Sequence, residues 1–360
     1  MTVGCYGPSG ATGVRDYVEA LRAALGRRGV RCTAGERADV RLYHLGNNAR
    51  HRDIYRRALE RPGVVVLHDA VLHHFFLGWL DQARYVEEFV YNYGEWTREL
   101  AARLWRGRAR AAADPRYFQF PMLRRVGEIS QAVVVHNPAA ARMVRAHAPQ
   151  ARLVEIPHLI LPAAWPTLAE AERLRQHLGI SPRAYVFGLF GYLRESKRPA
   201  TVLRAFARLR REGRECALLV AGDFVSPDLE RALAPQLAQP GVIRVRHAPE
   251  SVFLRLMMLA DAGINLRHPS AGETSGITIR MMDAGKAVIL TAIEENARFP
   301  EDVCVRIEPG LAEEEMLFEA MRWMAHVPEL GREIGRRAQA YVRRWHAPEA
   351  VAAAYLELLT

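Results

Sequence analysis

A strand, a loop and a capped helix follow one another in the stretch Ile264-Asn-Leu-Arg-His-Pro-Ser-Ala-Gly-Glu-Thr-Ser-Gly-Ile277. Its apolar start continues the run Ala262–Leu266, which predicts a buried strand, and a proline and a glycine then fix a loop. Thr274 or Ser275 can cap the following helix, with Glu273 at its start. A carboxylate there can accept hydrogen bonds from vicinal hydroxyls, while free N–H groups of the helix face phosphate oxygens. Alone, the stretch is an ordinary capped helix, so its meaning depends on the rest of the chain.

Apolar runs of four to seven residues alternate with segments of helical periodicity along almost the whole chain, which predicts parallel sheets covered by helices. The predicted strands of the first half are Val3–Tyr6, Val30–Thr33, Val40–Leu45, Val64–His68, Ala132–His136 and Leu153–Ile156. Those of the second half are Tyr185–Phe190, Ala217–Ala221, Ile243–His247, Ala262–Leu266, Ala287–Thr291 and Cys304–Ile307. We therefore expect an α/β protein with two Rossmann-like, doubly wound sheets, and a ligand in the cleft between them at the carboxyl ends of the strands.

The two halves meet at a proline-rich segment, Pro157–Thr167, which suits a linker because proline stops helices. This position predicts an N-terminal domain at residues 1–162 and a C-terminal domain at 163–345. The first domain contains a helical insertion at 69–130 that is rich in aromatic residues and arginine. Residues 346–360 are expected to form a terminal helix.

The composition indicates a globular protein, since 50% of the 360 residues are hydrophobic and 25% are charged. Histidine and aspartate interrupt the most apolar stretch, 64–80, so no membrane span is expected. The first thirty residues hold no apolar signal segment, and the four cysteines form no CxxC pair. These features predict a cytoplasmic protein, which could also contact the inner face of a membrane.

The net charge of +10 is concentrated in the first half, where residues 1–162 hold 24 arginines and 15 acidic residues. The densest part is a cluster at Arg103, Arg106, Arg108, Arg110, Arg116, Arg124 and Arg125. Such a cluster attracts an anionic partner, namely a phosphorylated acceptor, an acidic lipid surface or nucleic acid, but a solvated helical face explains it equally well. Lys197 and Lys286 are the two lysines of the sequence, against 48 arginines, which draws attention to both.

A glycine-rich turn, Gly7-Pro-Ser-Gly-Ala-Thr-Gly13, follows the first predicted strand and precedes a helix. Glycine lets backbone N–H groups approach an anion at a helix N-terminus. The spacing is neither that of a dinucleotide-binding turn nor that of a P-loop. A tight turn without a ligand is therefore an equal alternative.

Histidines cluster after the strand Val64–His68, where Asp69 follows at once and His73 and His74 come next. At the carboxyl edge of a sheet, His68 can accept a proton or bind a sugar hydroxyl while Asp69 orients it. A core histidine bonded to the backbone is the alternative. The spacing matches no zinc site, so no metal is expected.

A cationic turn, Gly191-Tyr-Leu-Arg-Glu-Ser-Lys-Arg198, follows the first strand of the second half and precedes a helix that opens at Pro199. Lys197 and Arg198 stand beside the helix N-terminus, so side-chain charge and helix dipole favour the same anion, such as a diphosphate. A solvated basic turn is the alternative.

Together these motifs resemble the retaining glycosyltransferases of the GT-B fold, in particular glycosyltransferase family 4. The resemblance covers nearly the whole chain and includes the first glycine turn, the Gly191–Arg198 turn, the Gly272-Glu-Thr-Ser-Gly276 helix start and the Gly285-Lys-Ala-Val-Ile-Leu strand. It is closest to a subgroup that also carries Gly46-Asn-Asn48 and Leu67-His-Asp69. These motifs are specific in combination and weak singly.

The resemblance implies that the C-terminal domain binds a nucleotide-sugar donor, and that the terminal helix crosses back to the acceptor-binding N-terminal domain. Lys197 matches the diphosphate-binding lysine, and Glu273 matches the first Glu of a Glu-x7-Glu pattern, which contacts the transferred sugar. The implied donor-binding residues are Gly13, Gly191, Arg194, Lys197, Arg198, Arg267, Glu273, Thr274, Ser275, Gly276 and Ile277.

The sequence departs from the family pattern at two places. Tyr192 stands where relatives carry an arginine, so Arg194 or Arg198 is expected to substitute. No Glu occurs in the range 280–283, where many relatives hold the ribose. Arg280, Asp283 or the backbone would then take over this contact.

The implied reaction transfers a hexosyl-type sugar from a UDP- or GDP-sugar to an acceptor hydroxyl with retention, without metal or another cofactor, the departing phosphate taking the acceptor proton. Glu273, Lys197 and His68 are the implied catalytic residues, and the implied acceptor-binding residues are His68, Asp69, His73, Asn47 and His136. The acceptor would be a glycan, a lipid-linked sugar or a natural product, and the aromatic insertion favours one with an apolar or ring-shaped part. Arg103–Arg125 would contact an anionic membrane.

Three other functions compete with this interpretation. A catalytically silent GT-B subunit would explain the missing second Glu and Tyr192. A sugar-nucleotide epimerase or a phosphorylase would need a cofactor lysine or a carboxylate cluster, and neither stands out. Nucleic-acid binding is not expected, because no nucleic-acid module appears and the second half is nearly neutral. The sugar, the base, the linkage and the oligomeric state stay open.

Overall fold

The chain forms two parallel β-sheets of six strands each, with α-helices between most successive strands. The computed structural model describes residues 1–10, 12–35 and 37–360. All twelve predicted strands are present, and their ends lie within two residues of the predicted ones. The predicted α/β class with two doubly wound sheets is therefore confirmed.

The first sheet has the strand order β2-β1-β3-β4-β5-β6. These strands are β1 (Thr2–Tyr6), β2 (Arg31–Thr33), β3 (Val40–Leu45), β4 (Val64–Leu67), β5 (Ala132–Val135) and β6 (Leu153–Glu155). The central strands β4 and β5 are buried along their whole length, as expected of apolar, β-branched strands covered on both faces. The strand order reverses between β1 and β3, the position at which such sheets bind ligands.

The second sheet has the strand order β12-β11-β10-β7-β8-β9. These strands are β7 (Tyr185–Phe190), β8 (Cys216–Ala221), β9 (Val242–Val245), β10 (Ala262–Asn265), β11 (Ala287–Thr291) and β12 (Val305–Ile307). Here the order reverses between β7 and β10, which are neighbours in the sheet. The segments that follow these two strands are the cationic turn and the Glu273 stretch of the sequence.

Fifteen helices connect and flank these strands in the described part of the chain. Those of the first half are α1 (Gly13–Arg27), α2 (Arg52–Glu60), α3 (His73–Trp79), α4 (Gln82–Tyr93), α5 (Arg98–Gly107), α6 (Arg124–Ile129) and α7 (Pro138–His147). The later ones are α8 (Leu168–His177), α9 (Pro199–Arg211), α10 (Pro227–Leu237), α11 (Glu250–Leu259), α12 (Gly276–Asp283), α13 (Glu313–His326), α14 (Pro328–Trp345) and α15 (Pro348–Leu359).

Local sequence explains where several helices begin. Proline is the first residue of α7, α9, α10 and α15, where its missing N–H costs no hydrogen bond. Thr12 caps α1 by accepting a hydrogen bond from Arg15 N. Thr167 and Glu170 form a capping box at the start of α8.

The aromatic residues of the 69–130 insertion mainly build a hydrophobic core. Phe75, Phe76, Tyr85 and Phe89 are each at most 1% exposed and pack in one cluster with β3, β4 and β5. Trp96 is the exception, at 83% exposed. The content of aromatic residues in this insertion is therefore explained by packing, and it does not indicate a ring-shaped acceptor.

The chain divides into two compact units. The first comprises residues 1–161, 269–274 and 345–360, and the second comprises 162–268 and 275–344. Within the first unit α15 packs against α1, and the hydroxyls of Tyr17 and Tyr355 are 3.0 Å apart in the core. His346 also belongs to this unit, where its Nδ1 donates to His158 O over 2.6 Å and its carbonyl accepts from Ile160 N over 2.7 Å.

Candidate functional site

Lys197 lies after the carboxyl end of β7, at the strand-order reversal of the second sheet. Its side chain is 3% exposed, and Nζ donates a hydrogen bond to Phe190 O over 2.5 Å. Gly191 has φ +83, and a Cβ at this position would lie 3.0 Å from Lys197 Nζ and 3.4 Å from Ile277 Cγ1. Glycine is required by both the backbone conformation and the close approach. Lys197 Nζ and Ile277, in the first turn of α12, therefore both lie beside Gly191.

The N-terminus of α12 is built by a small polar network inside the second unit. Ser275 caps the helix, with Oγ accepting from Thr278 N over 3.4 Å. The Asn265 amide, at the end of β10, donates to Ser275 Oγ over 2.7 Å and to Thr278 Oγ1 over 2.6 Å. The N–H groups of Gly276 and Ile277 have no acceptor within residues 1–10, 12–35 and 37–360. This helix end can therefore receive an anion.

The loop after β10 is tied to the turn after β7, since His268 N donates to Ser196 O over 2.8 Å. Predicted donor residues Gly191, Lys197, Ser275, Gly276 and Ile277 thus lie in one region of the second unit. Arg267 lies two residues after the end of β10, and its N–H donates to Thr291 Oγ1 over 2.8 Å.

Of the two arginines expected to replace the family arginine, Arg198 has a different partner. Its Nε lies 2.7 Å from Glu313 Oε2, and Glu313 is 1% exposed. Arg204 and Arg208 of α9, the helix that follows Arg198, form ion pairs with Glu314 and Glu315 of α13. The Arg198 charge is therefore balanced within the fold, which leaves Arg194, an exposed side chain, as the second cation of the turn.

Glu273 belongs to a loop, Pro269–Thr274, that is part of the first unit. Its Oε2 accepts hydrogen bonds from Ala271 N over 2.8 Å and from Ser270 Oγ over 3.2 Å. Ala271 O accepts from Ala70 N and Val71 N, over 2.8 and 3.0 Å. The loop is thereby held beside the segment that follows β4.

Gly272 and Thr274 pack the loop against neighbouring residues of the first unit. Gly272 has φ +74, and a Cβ there would lie 2.7 Å from Ala70 Cβ, so only glycine fits. Thr274 Oγ1 donates to His136 O over 3.3 Å and accepts from Asn137 Nδ2 over 3.0 Å. Sequence reasoning missed Asn137, although its place between a buried strand and Pro138 signals a helix cap.

The side chains expected to replace the second Glu of the family pattern have other contacts. Asp283 is 8% exposed and accepts hydrogen bonds from Trp165 Nε1 over 2.8 Å and from Arg343 Nε over 3.0 Å. Arg280 pairs with Glu250 over 3.0 Å. Asp283 therefore links Trp165 and Arg343 within the second unit.

His68 and His136 belong to a buried cluster of rings in the first unit. His44 Nδ1 and His68 Nε2 are 3.1 Å apart, and His136 Nδ1 donates to Ile156 O over 2.8 Å. The ring of Tyr17 contacts the rings of His44, His68, His136 and His158. Burial lowers the pKa of His44 to about 3 and that of His136 to about 4, and it holds the pKa of His68 well below its ordinary value. These rings are neutral at physiological pH, so His68 is a poor general base.

The other predicted acceptor residues form a scaffold. Asp69 Oδ2 accepts from Asn47 N over 2.7 Å, and Asn47 Oδ1 accepts from Phe75 N over 2.9 Å. His73 is fully buried, with Nδ1 donating to Tyr117 O over 2.9 Å and Nε2 accepting from Tyr85 Oη over 2.8 Å. Both ring nitrogens of His73 therefore have hydrogen-bond partners within the fold.

The glycine-rich turn after β1 lies only partly within the described residues, because Ala11 is outside them. Gly13 is the first residue of α1, and a Cβ there would meet no atom within 4 Å among the described residues. The fold itself therefore does not demand glycine at this position.

The arginine cluster of the insertion is partly neutralised. Arg116 pairs with Asp114, Arg124 with Glu128 and Arg125 with Glu88. The described residues place no carboxylate within ion-pair distance of Arg106, Arg108 or Arg110, and Arg108 lies 4.2 Å from the Trp105 ring centroid. The arginines of the cluster that have no carboxylate partner among the described residues are therefore Arg106, Arg108 and Arg110.

The described residues contain no cluster suited to a metal ion and no membrane-spanning helix. Outside Ala11 and Glu36, no group of three or more His, Cys, Asp or Glu side chains is arranged to hold a metal ion. No helix in the described ranges is long and apolar enough to cross a membrane.

No protein-family model matches the sequence, and no curated protein is similar to it in sequence. Solved structures are similar over the full length. Anabaena HepE in complex with UDP-glucose has a TM-score of 0.70 and 15% identity, covering 100% of this chain and 99% of that chain. Sucrose-phosphate synthase from Thermosynechococcus elongatus has a TM-score of 0.69 and 14% identity, covering 99% and 98%.

A third structure is WaaG, a glycosyltransferase involved in lipopolysaccharide biosynthesis, with a TM-score of 0.63, 16% identity and coverage of 98% and 99%. The chain has the GT-B fold. At these identities the similarity concerns the fold, and placement in glycosyltransferase family 4 stays a prediction.

The buried histidines predict acid sensitivity. The unfolded chain binds protons at the ordinary histidine pKa of about 6.5, whereas burial lowers the pKa of His44 to about 3 and that of His136 to about 4. Their contribution to stability is present above pH 6.5 and is lost as the pH falls towards these values, by about 1.4 kcal/mol per pH unit for each extra proton bound by the unfolded chain. Urea unfolding at pH 7, 6 and 5 measures the slope.

The matched variants are His136→Gln, which removes one buried ring, and His177→Gln, which removes an exposed one. We expect a smaller slope for the first and an unchanged slope for the second. Equal slopes in all three proteins would contradict the neutral, buried state of His136.

Proposed function

We propose that this protein is a glycosyltransferase that transfers a hexosyl-type sugar from a UDP- or GDP-sugar to an acceptor hydroxyl, with retention and without a metal. The observation that carries the proposal is that Lys197 Nζ and Ile277, in the first turn of α12, both lie beside Gly191 at the strand-order reversal of the second sheet. A buried ammonium and the N–H groups of Gly276 and Ile277 supply positive potential in one place. A diphosphate is the anion that these groups fit.

The same groups serve the chemistry, because negative charge grows on the diphosphate as the bond to the sugar breaks. Fixed donors that face developing charge lower the barrier to that step. The acceptor oxygen attacks the anomeric carbon on the face from which the phosphate departs, and its proton passes to the departing phosphate oxygen. Glu273 would contact the sugar, as its match to the first Glu of the family pattern implies.

No histidine takes the acceptor proton in this proposal. The low pKa of His68 and its hydrogen bond with His44 make it a weak base. Proton transfer to the departing phosphate needs no basic side chain. It is therefore compatible with the low pKa values of the buried histidines in the first unit.

A uridine nucleotide is the first donor to test, because HepE binds UDP-glucose and has the same fold. The acceptor that we propose is a glycan, a lipid-linked sugar or a natural product. Arg106, Arg108 and Arg110 would contact its anionic part or an anionic membrane at the inner face of the cell, since they lack carboxylate partners among the described residues.

A catalytically silent subunit is the second candidate. It is favoured by the absence of a Glu in the range 280–283 and by the engagement of Asp283 with Trp165 and Arg343. Such a protein would bind a nucleotide without releasing the sugar. Product formation therefore separates the two candidates.

We expect one of UDP, GDP, ADP and dTDP to raise the melting temperature. A ligand at a hundred times its Kd stabilises the folded state by about 2.7 kcal/mol, which a thermal scan detects. A shift with one nucleotide names the base of the donor. If none of the four shifts the midpoint, the diphosphate site is wrong.

Lys197→Met should weaken binding of that nucleoside diphosphate by about tenfold or more, because a buried cation beside the anion is lost. The chain offers a matched control in Lys286, whose Nζ donates to Met258 O over 2.6 Å near the amino end of β11. Lys286→Met removes the same kind of hydrogen bond to a carbonyl at the other end of α12, three residues after Asp283. Equal affinities of the two variants, measured by calorimetry, would contradict the role of Lys197.

Glu273→Gln should lower kcat by about 100-fold while the nucleoside diphosphate Kd changes less than about threefold. The carboxylate acts on the sugar and not on the phosphates in this proposal. Glu308→Gln, which removes an exposed carboxylate just after β12, is the control and should leave kcat unchanged. Unaltered turnover of Glu273→Gln would remove Glu273 from the donor site.

A further inference from the structure

One side chain holds the residues on both sides of Glu273. Asn137 Nδ2 donates to Gly272 O over 2.9 Å and to Thr274 Oγ1 over 3.0 Å. Glu273 is the residue between these two acceptors. The backbone that carries the carboxylate is therefore fixed before and after it by a single amide.

The orientation of this amide is itself determined. Asn137 caps α7, and its Oδ1 accepts from Ala140 N over 2.9 Å. If the amide were reversed, Oδ1 would face Gly272 O and Ala140 N would lose its acceptor. The side chain is 2% exposed, so water could not compensate for either loss.

The rest of the loop leaves Glu273 little freedom. Ala271 O is held by Ala70 N and Val71 N, and Gly272 lies too close to Ala70 to carry a Cβ. Ala271 N in turn donates to Glu273 Oε2. A shift of the Gly272 peptide would therefore move the carboxylate.

We propose that Asn137 is a positioning residue for Glu273, which aligns the carboxylate with the transferred sugar by fixing the Gly272 and Thr274 acceptors. This inference rests on the proposed glycosyltransferase function. According to this inference, Asn137, which follows β5, affects turnover and not nucleotide affinity. Asn137 makes its hydrogen bonds to Gly272, Thr274 and Ala140, all within the first unit.

The test is Asn137→Asp, which keeps the shape and the helix-capping oxygen but removes both donors. Transfer to water is followed as release of nucleoside diphosphate from UDP-glucose or GDP-mannose, whichever the unaltered protein turns over. We expect kcat to fall at least tenfold, while the Kd for UDP or GDP stays within about twofold of the unaltered protein. A protonated Asp regains one donor, so kcat relative to the unaltered protein at the same pH should rise as the pH is lowered from 8 to 6.

Asn92→Asp is the matched control. The Asn92 side chain is buried, its Nδ2 donates to Glu88 O and Glu88 Oε1, and its Oδ1 accepts from Arg124 N. The substitution removes two donors from the same unit without touching the Glu273 loop. We expect lower stability with kcat, measured on the folded protein, unchanged and without the pH-dependent recovery.

If Asn137→Asp does not fold, Asn137→Ser retains a capping oxygen without a charge and should lower kcat by a similar factor, without recovery at low pH. Unchanged kcat in the folded Asp or Ser variant would overturn the positioning role and leave the proposed function intact. A fall in nucleotide affinity equal to the fall in kcat would also overturn it. If the unaltered protein binds a nucleotide but releases none from either sugar nucleotide, the proposed function fails and this inference fails with it.

Discussion

The hydrogen bonds that hold the Pro269–Thr274 loop are the constraint on which the candidate site depends. Two backbone donors after β4 hold Ala271 O, and the amide of Asn137 after β5 holds Gly272 O and Thr274 Oγ1. Parallel strands bring these segments to the same edge of the first sheet. The sheet topology thus supplies donors from residues far apart in sequence to six residues of loop, and a carboxylate in that loop acquires a defined direction.

The two lysines make similar contacts. Lys197 and Lys286 are both largely buried, and each donates from Nζ to a backbone carbonyl. The space beside Gly191 is narrow, since a Cβ there would already be 3.0 Å from Lys197 Nζ, and an ammonium is more compact than a planar guanidinium with five donors. Arg204 and Arg208 of α9 pair instead with carboxylates of α13. The compact ammonium therefore suits position 197.

The sequence predicts the strands well and the polar contacts poorly, for one physical reason. The runs at Val64–Leu67 and Tyr185–Phe190 are buried on both faces, so their composition alone identifies them. His73 is equally buried, but its partners Tyr85 and Tyr117 lie 12 and 44 residues away, and Arg198 finds Glu313 after 115 residues. A polar residue after a strand can equally bind a ligand or tie two segments together. Only the fold decides between the two, as it does for Asn47 and Asp69.

The same distinction applies to the residues that remain in the candidate site. Lys197 Nζ and Ile277, in the first turn of α12, both lie beside Gly191 inside the second unit, so their grouping follows from the reversal of strand order between β7 and β10. Glu273 accepts hydrogen bonds from Ala271 N and Ser270 Oγ, which belong to the first unit. The groups that we propose to bind the diphosphate and the carboxylate that we propose to contact the sugar are thus held by different sets of contacts. In this proposal, substitutions within one set change nucleotide affinity or turnover without changing the other, which makes the two roles separable by measurement.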